Sequence, residues 1–158
     1  MAIGWSGEDY LLTIPRLPEG LYLASVIRGS EELIGKPLSM TAGPSPISVQ
    51  ITLRDDGAIA TGSVDSKGAR PPARAFIVFA PAAEDAAYWW RTSQAEADGS
   101  FKISGIAPGD YRIFALNQND GEDYKQPEFL KKHSGEMATL HADKNGAYSV
   151  NVSVIKTE

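Results

Sequence analysis

The chain has 158 residues, 42% hydrophobic and 22% charged, so a core can form without disulfide or metal staples. It holds no cysteine, which excludes disulfides, thiolate metal sites and cysteine nucleophiles together. A net charge of −5 argues against nucleic-acid binding, because the densest basic spot, Lys131-Lys132-His133, is too small to hold a phosphate backbone.

Met1-Ala2-Ile3-Gly4-Trp5-Ser6-Gly7 has no basic segment leading into an apolar one, so no signal peptide is expected within the chain. No apolar run reaches membrane-spanning length. Asp9 to Ile14 and Leu21 to Arg28 are predicted strands on either side of a turn at Pro18-Glu19-Gly20. Ile47 to Leu53 alternates with period two, which puts Ile47, Val49, Ile51 and Leu53 on one face that is expected to be buried. Beyond Asp55-Asp56-Gly57, a strand is predicted over Ala58 to Val64, then a turn at Ser66-Lys67-Gly68. Ala75 to Ala80 is apolar throughout and reads as a central strand buried on both faces.

Further strands are predicted over Tyr88 to Ala95, Ser100 to Ile103 and Tyr111 to Asn117. They are separated by Asp98-Gly99 and Ala107-Pro108-Gly109-Asp110, and the third is followed by Asn119-Asp120-Gly121. Gln126 to Lys132 breaks the pattern, with proline and acid early and lysines late, as one helical turn requires. Phe129 and Leu130 are expected to plug one end of the sandwich from that turn. Glu136 to Ala142 and the alternating Tyr148 to Val154 flank Lys144-Asn145-Gly146. Short strands with turns this regular predict an all-β sandwich or barrel.

The chain also repeats itself. Ile14 to Tyr22 parallels Ile103 to Tyr111 at an offset of 89, and Ser48 to Leu53 parallels Ser149 to Val154 at an offset of 101. Residues 1–56 therefore read as a partial β unit, the closing strands of a repeat, and 57–158 as a whole unit. Leu11, Leu23, Ile27, Val49 and Ile51 of the partial unit must be buried against something: the second unit, strands of another chain, or a neighbouring module.

Residues 57–158 resemble the carboxypeptidase regulatory-like domain, a prealbumin-like β-sandwich also called the peptidase-associated fold. The resemblance rests on Gly62-Ser63-Val64, Gly68, Pro71, Ala75 to Phe79, Ala97-Asp98-Gly99-Ser100-Phe101, Ile106 to Tyr111, and Ala115. Arg74 departs from it, standing where the family has Gly or Asn, and the Gly68-to-Ala75 link is one residue longer. The resemblance implies an all-β, prealbumin-like or Ig-like fold within tandem arrays of secreted or cell-envelope bacterial proteins. It also implies a structural or interaction role, since the peptidases that carry such domains keep their catalytic residues elsewhere.

The motifs themselves are structural. Asp98 and Gly99 suit a tight hairpin turn that turns Phe101 inward, and Pro108 and Gly109 set a turn before Tyr111, whose hydroxyl can reach a backbone group. Gly20 and Tyr22 are the counterparts in the first unit. No catalytic, cofactor or metal site is expected. His133 and His141 have no ligand spacing and read as solvent-exposed. Asp120-Gly121-Glu122-Asp123 and Asp143-Lys144-Asn145-Gly146 lack the alternation of a calcium loop. Lys67, Lys102 and Asn151 do not sit as an internal Lys–Asn isopeptide needs. The remaining ligand candidate is Tyr88-Trp89-Trp90-Arg91, whose aromatics could stack on a polysaccharide. Strand alternation would send Trp89 and Trp90 to opposite faces, which favours core or interdomain packing. The partners foreseen are other proteins, neighbouring modules of the same polypeptide, a polysaccharide, or further copies in a homo-oligomer or fibre.

Overall fold

The computed structural model describes residues 2–6, 9–14, 16–39, 46–65, 74–83, 89–117, 121 and 123–155. The predicted turn Ser66-Lys67-Gly68, the family positions Gly68 and Pro71, and Tyr88, Asn119 and Asp120 lie outside them. The fold is mostly β with one short helix. The strands are β1 (Ala2–Ser6), β2 (Asp9–Thr13), β3 (Tyr22–Arg28), β4 (Glu31–Glu32), β5 (Leu38–Ser39), β6 (Gln50–Arg54) and β7 (Ala58–Asp65). They continue as β8 (Phe76–Pro81), β9 (Arg91–Gln94), β10 (Ser100–Ile106), β11 (Gly109–Leu116), β12 (Ala138–Ala142) and β13 (Ala147–Ile155). The helix α1 spans Pro127–Lys132.

Seven strands form one near-barrel in the order β10-β7-β13-β11-β8-β9, with β12 also paired to β11. The strand β13 runs parallel to β7 from Ala147 to Ser153 and then parallel to β11 at Val154 and Ile155. It thereby joins the two halves of the sandwich. The period-two alternation of β7, β10 and β11 sends Ala58, Ala60, Phe101, Ile103, Tyr111 and Ile113 into a single interior with Ile77 and Phe79. As the unbroken apolar run foretold, β8 is buried on both faces: Phe76, Val78 and Ala80 pack outward with Phe114, Leu116, Tyr124 and Ile155.

Helix α1 forms where Pro127 fits the first turn, but it does not plug an end. Phe129 and Leu130 lie over the outer face of β8 and β11, because the odd–even split of β8 leaves a second apolar surface that needs a cover. Residues 2–54 make two small sheets, β1-β2-β5 and β4-β3-β6. Around Leu23, Val26 and Leu33 they share a core that Leu12, Leu17 and Val49 complete.

Two expectations about strands need correction. Ile47, Ile51 and Leu53 are 38%, 37% and 39% exposed. Ile51 pairs Val26 and Leu53 pairs Leu23 across a bulge in β3, but β6 lies at the edge of its sheet, and its least exposed residue is Thr52 on the opposite face. The strand foreseen over Tyr88 to Ala95 is shorter: Trp89 falls in a helical turn and Trp90 is irregular, so β9 starts at Arg91 and alternation does not apply to the tryptophans. The tight turn expected at Asp98-Gly99 is present: Glu96 N–H donates to Ser100 O at 2.7 Å, Gly99 N–H donates to Glu96 O at 2.9 Å, and Gly99 takes φ 85°, while β9 goes on to pair β8 and β10 pairs β7. The turn is a corner between the two ends of the near-barrel.

Candidate binding cleft at the β9–β10 seam

The two terminal strands of the near-barrel, β9 and β10, meet without a backbone ladder among the described residues. Beyond the Glu96 N–H to Ser100 O bond at the turn, side chains bridge the seam. Arg91 Nε donates to Gly105 O at 3.1 Å, and Ser93 Oγ donates to Lys102 O at 3.4 Å. Gly105 sits in the irregularity of β10 between Ile103 and Ile106, at φ 68°. A Cβ there would lie 2.9 Å from Leu21 O, so only glycine lets the β10 backbone approach the Gly20-Leu21 backbone this closely.

That approach is clamped from both sides. Arg91 Nη2 donates to Leu21 O at 3.2 Å, and Trp89 Nε1 donates to Leu23 O at 2.9 Å. Burial pulls the Arg91 guanidinium below its usual pKa, opposed by the nearby Tyr111 hydroxyl. The repeated motif thus has a structural meaning: its two copies, Ile14 to Tyr22 and Ile103 to Tyr111, meet at the Gly20–Gly105 contact.

The paired tyrosines differ in use. Tyr111 is 2% exposed and donates to Ala107 O at 2.8 Å, four residues back, which fixes the turn carrying Pro108 and Gly109. Burial raises its pKa. Tyr22, equally enclosed by residue area, sends its hydroxyl to Asp56 Oδ1 at 2.8 Å. Asp56 is also gripped by Arg54, whose Nε lies 2.9 Å from Oδ1, and those hydrogen bonds hold its carboxyl below the usual range. Gly20, at φ 81°, forms the preceding turn, closed by Leu21 N–H donating to Pro18 O at 3.2 Å.

Of the other residues singled out, Asp98 Oδ1 accepts from Ser100 N–H at 2.9 Å and from Ser100 Oγ at 2.6 Å, which lowers its pKa. Phe101 is buried edge-on to Phe79. Gly109 takes φ 147°. Arg74, where the family has Gly or Asn, adopts φ 65°, so the backbone there keeps the left-handed geometry that those residues favour. His141 is exposed, with Nδ1 2.7 Å from Asp110 Oδ1, and hydrogen bonding to that carboxylate raises its pKa. His133 is not solvent-exposed: its side chain is 14% accessible, and its ring lies 4.7 Å from that of Phe129, tilted by 41°, at the end of α1.

Beside the clamp lies a cleft of about 840 Å³. Its walls come from the Ile14–Leu23 segment on one side and from β9 and β10 on the other, with Trp90 between them. Trp90 is half-buried, 6.0 Å from the ring of Tyr124. Arg16, Lys102 and Lys125 also line the cleft, and sequence reasoning missed all three. No signal in the sequence relates them, because the segments that bear them meet through contacts between residues far apart in the chain, at Gly20–Gly105, Arg91–Leu21 and Trp90–Tyr124. Among the described residues no group of three or more His, Cys, Asp or Glu could hold a metal.

No known protein family and no curated protein matches the sequence. Solved structures similar in fold include three pilins. A streptococcal ancillary pilin has a TM-score of 0.39 at 14% identity, over 92% of this chain and 49% of that one. The minor pilin of Streptococcus agalactiae has 0.36 at 14%, over 92% and 63%. The major pilin subunit of Bacillus cereus has 0.32 at 12%, over 85% and 57%. The likeness is distant and confined to fold. This chain spans less than two thirds of each of these pilins.

Proposed function

We propose that the chain is a non-catalytic structural and interaction module of a secreted or cell-envelope bacterial protein, with residues 1–56 and 57–158 as successive β units. The observation that carries this reading is the clamp. Trp89 and Arg91, the side chains best suited to a ligand site, donate to backbone carbonyls of Leu21, Leu23, Trp90 and Gly105. Their chemistry fixes one β layer on another. The carboxypeptidase regulatory-like resemblance of residues 57–158 agrees with such a role, and it is carried by Asp98 to Phe101 and Pro108 to Tyr111. Two measurements test the reading. Protease shaving of intact cells that express the full-length protein should release peptides of this chain, and a panel of ester, glycoside and peptide substrates should show no turnover. Turnover that persists after chelation and replacement of both histidines overturns the non-catalytic part. A strictly cytosolic location overturns the envelope part.

A second reading, a self-associating subunit, is favoured by one observation: the edge strand β6 presents Ile51 and Leu53, with Ile47 just before it, more than a third exposed. Sedimentation velocity showing a concentration-independent monomer removes it.

A further inference from the structure

In a chain of net charge −5, the cleft beside the clamp is lined by Arg16, Arg91, Lys102 and Lys125 against one acid, Glu19. Low-dielectric walls focus the field of such a group onto whatever enters. The roles divide by exposure. Arg91 is held on backbone carbonyls and stiffens the floor, whereas Arg16, Lys102 and Lys125 are exposed at the rim.

Cations alone would accept any anion, and the rest of the lining narrows the class. The half-buried indole of Trp90 offers an apolar face, and the hydroxyls of Thr92, Ser93 and Ser104 add neutral hydrogen-bonding groups. A ligand that matches all three has a ring with an apolar C–H face, several hydroxyls and an acid group. The volume, about 840 Å³, lies in the range of small-ligand sites and suits a few sugar rings. A long polyanion such as a nucleic acid would extend beyond a cleft of this volume, and the chain as a whole carries net negative charge.

We propose that this cleft binds a short acidic oligosaccharide, stacked on Trp90 with its carboxylates toward Arg16, Lys102 and Lys125. The site names a ligand class for the interaction module and rests on that reading.

Calorimetric titration with trigalacturonic acid tests it, with the fully methyl-esterified trimer, hexaglutamate and a short single-stranded oligonucleotide as comparisons. The acid should bind with a Kd of about 0.1 mM and weaken with added salt, and the other three should bind at least about tenfold more weakly. The double variant Arg16→Glu, Lys102→Glu replaces exposed residues and should keep the far-ultraviolet dichroism of the parent while losing at least about tenfold in affinity. Absence of binding by the acid overturns the proposal, as do equal binding of the ester and unchanged affinity in the double variant. Equal binding of hexaglutamate or of the oligonucleotide overturns the sugar assignment. Release of reducing ends from the bound trimer would instead overturn the non-catalytic reading and leave the binding site standing, so the two failures are distinguishable.

Discussion

The Asp56 carboxylate accepts hydrogen bonds from the Arg54 guanidinium and the Tyr22 hydroxyl, and Lys144 Nζ lies 3.9 Å away. Its backbone is engaged too, for Asn145 N–H donates to Asp56 O at 2.8 Å. One side chain thus ties β3, β6 and the turn before β13 together. Arg54 is the main cause of its lowered pKa, followed by Tyr22. A carboxyl whose folded pKa is depressed adds stability above its unfolded value, near 3.9, and that stability is lost as pH falls through the folded value. The urea midpoint should therefore drop between about pH 5 and pH 2, and part of that drop should vanish in Asp56→Asn. An identical acid-side slope in parent and variant would show that Asp56 is not linked to folding. The sequence marked Asp56 only as part of a turn, Asp55-Asp56-Gly57. Its partner Tyr22 is 34 residues away, and nothing local announces that pairing.

At the scale of elements, the parallel β7–β13 ladder is the least forgiving part of the fold. Gly62 pairs Val150 in that ladder, and a Cβ on Gly62 would overlap the Val150 carbonyl oxygen and come within 2.7 Å of the Phe101 ring. Backbone blocks it on one side and a buried aromatic on the other, so neither can yield cheaply. Gly62→Ala should cost about 3 kcal/mol in chemical denaturation, whereas Gly135→Ala, with nothing near the added carbon, should stay within about 0.5 kcal/mol. Equal effects would mean that the two strands can separate locally. Much at this scale was legible in the sequence. The strands β3, β7, β8, β11 and β13 and helix α1 follow from period, apolar runs and turn residues. Three features were not. Nothing in Ala2 to Ser6 announces β1, because a glycine interrupts its few apolar residues and the run is too short to alternate. Aromatic residues favour β structure, so Trp89 and Trp90 read as strand in the sequence, although β9 starts only at Arg91. Alternation grouped Ile51 with Leu53 correctly, yet it carries no information on whether a strand is central or at an edge.

Across the whole molecule, the two N-terminal sheets and the near-barrel are joined by Arg91, Trp89, Tyr22 and the Gly105 contact. The carbonyls of Leu21 and Gly105 both accept from the Arg91 fork, so Arg91→Met removes a hydrogen bond from each at the same time as it loosens the joint. The parent should unfold in one calorimetric transition, and the variant in two, with residues 2–54 melting first. A single, merely lowered transition in the variant would place the coupling elsewhere. This joint was partly foreshadowed, because the repeat of Ile14 to Tyr22 at Ile103 to Tyr111 put a turn and a buried tyrosine at both of its halves. That the halves face each other depends on backbone carbonyls far along the chain, which a sequence pattern does not encode.

The strand β13 lies alongside β7 over seven parallel pairs and ends on β11. A pull at Ile155 directed along that strand loads the whole ladder sideways, so its hydrogen bonds must slide together and cannot open one after another as in a peeled hairpin. Force applied along this direction meets seven ladder pairs at once.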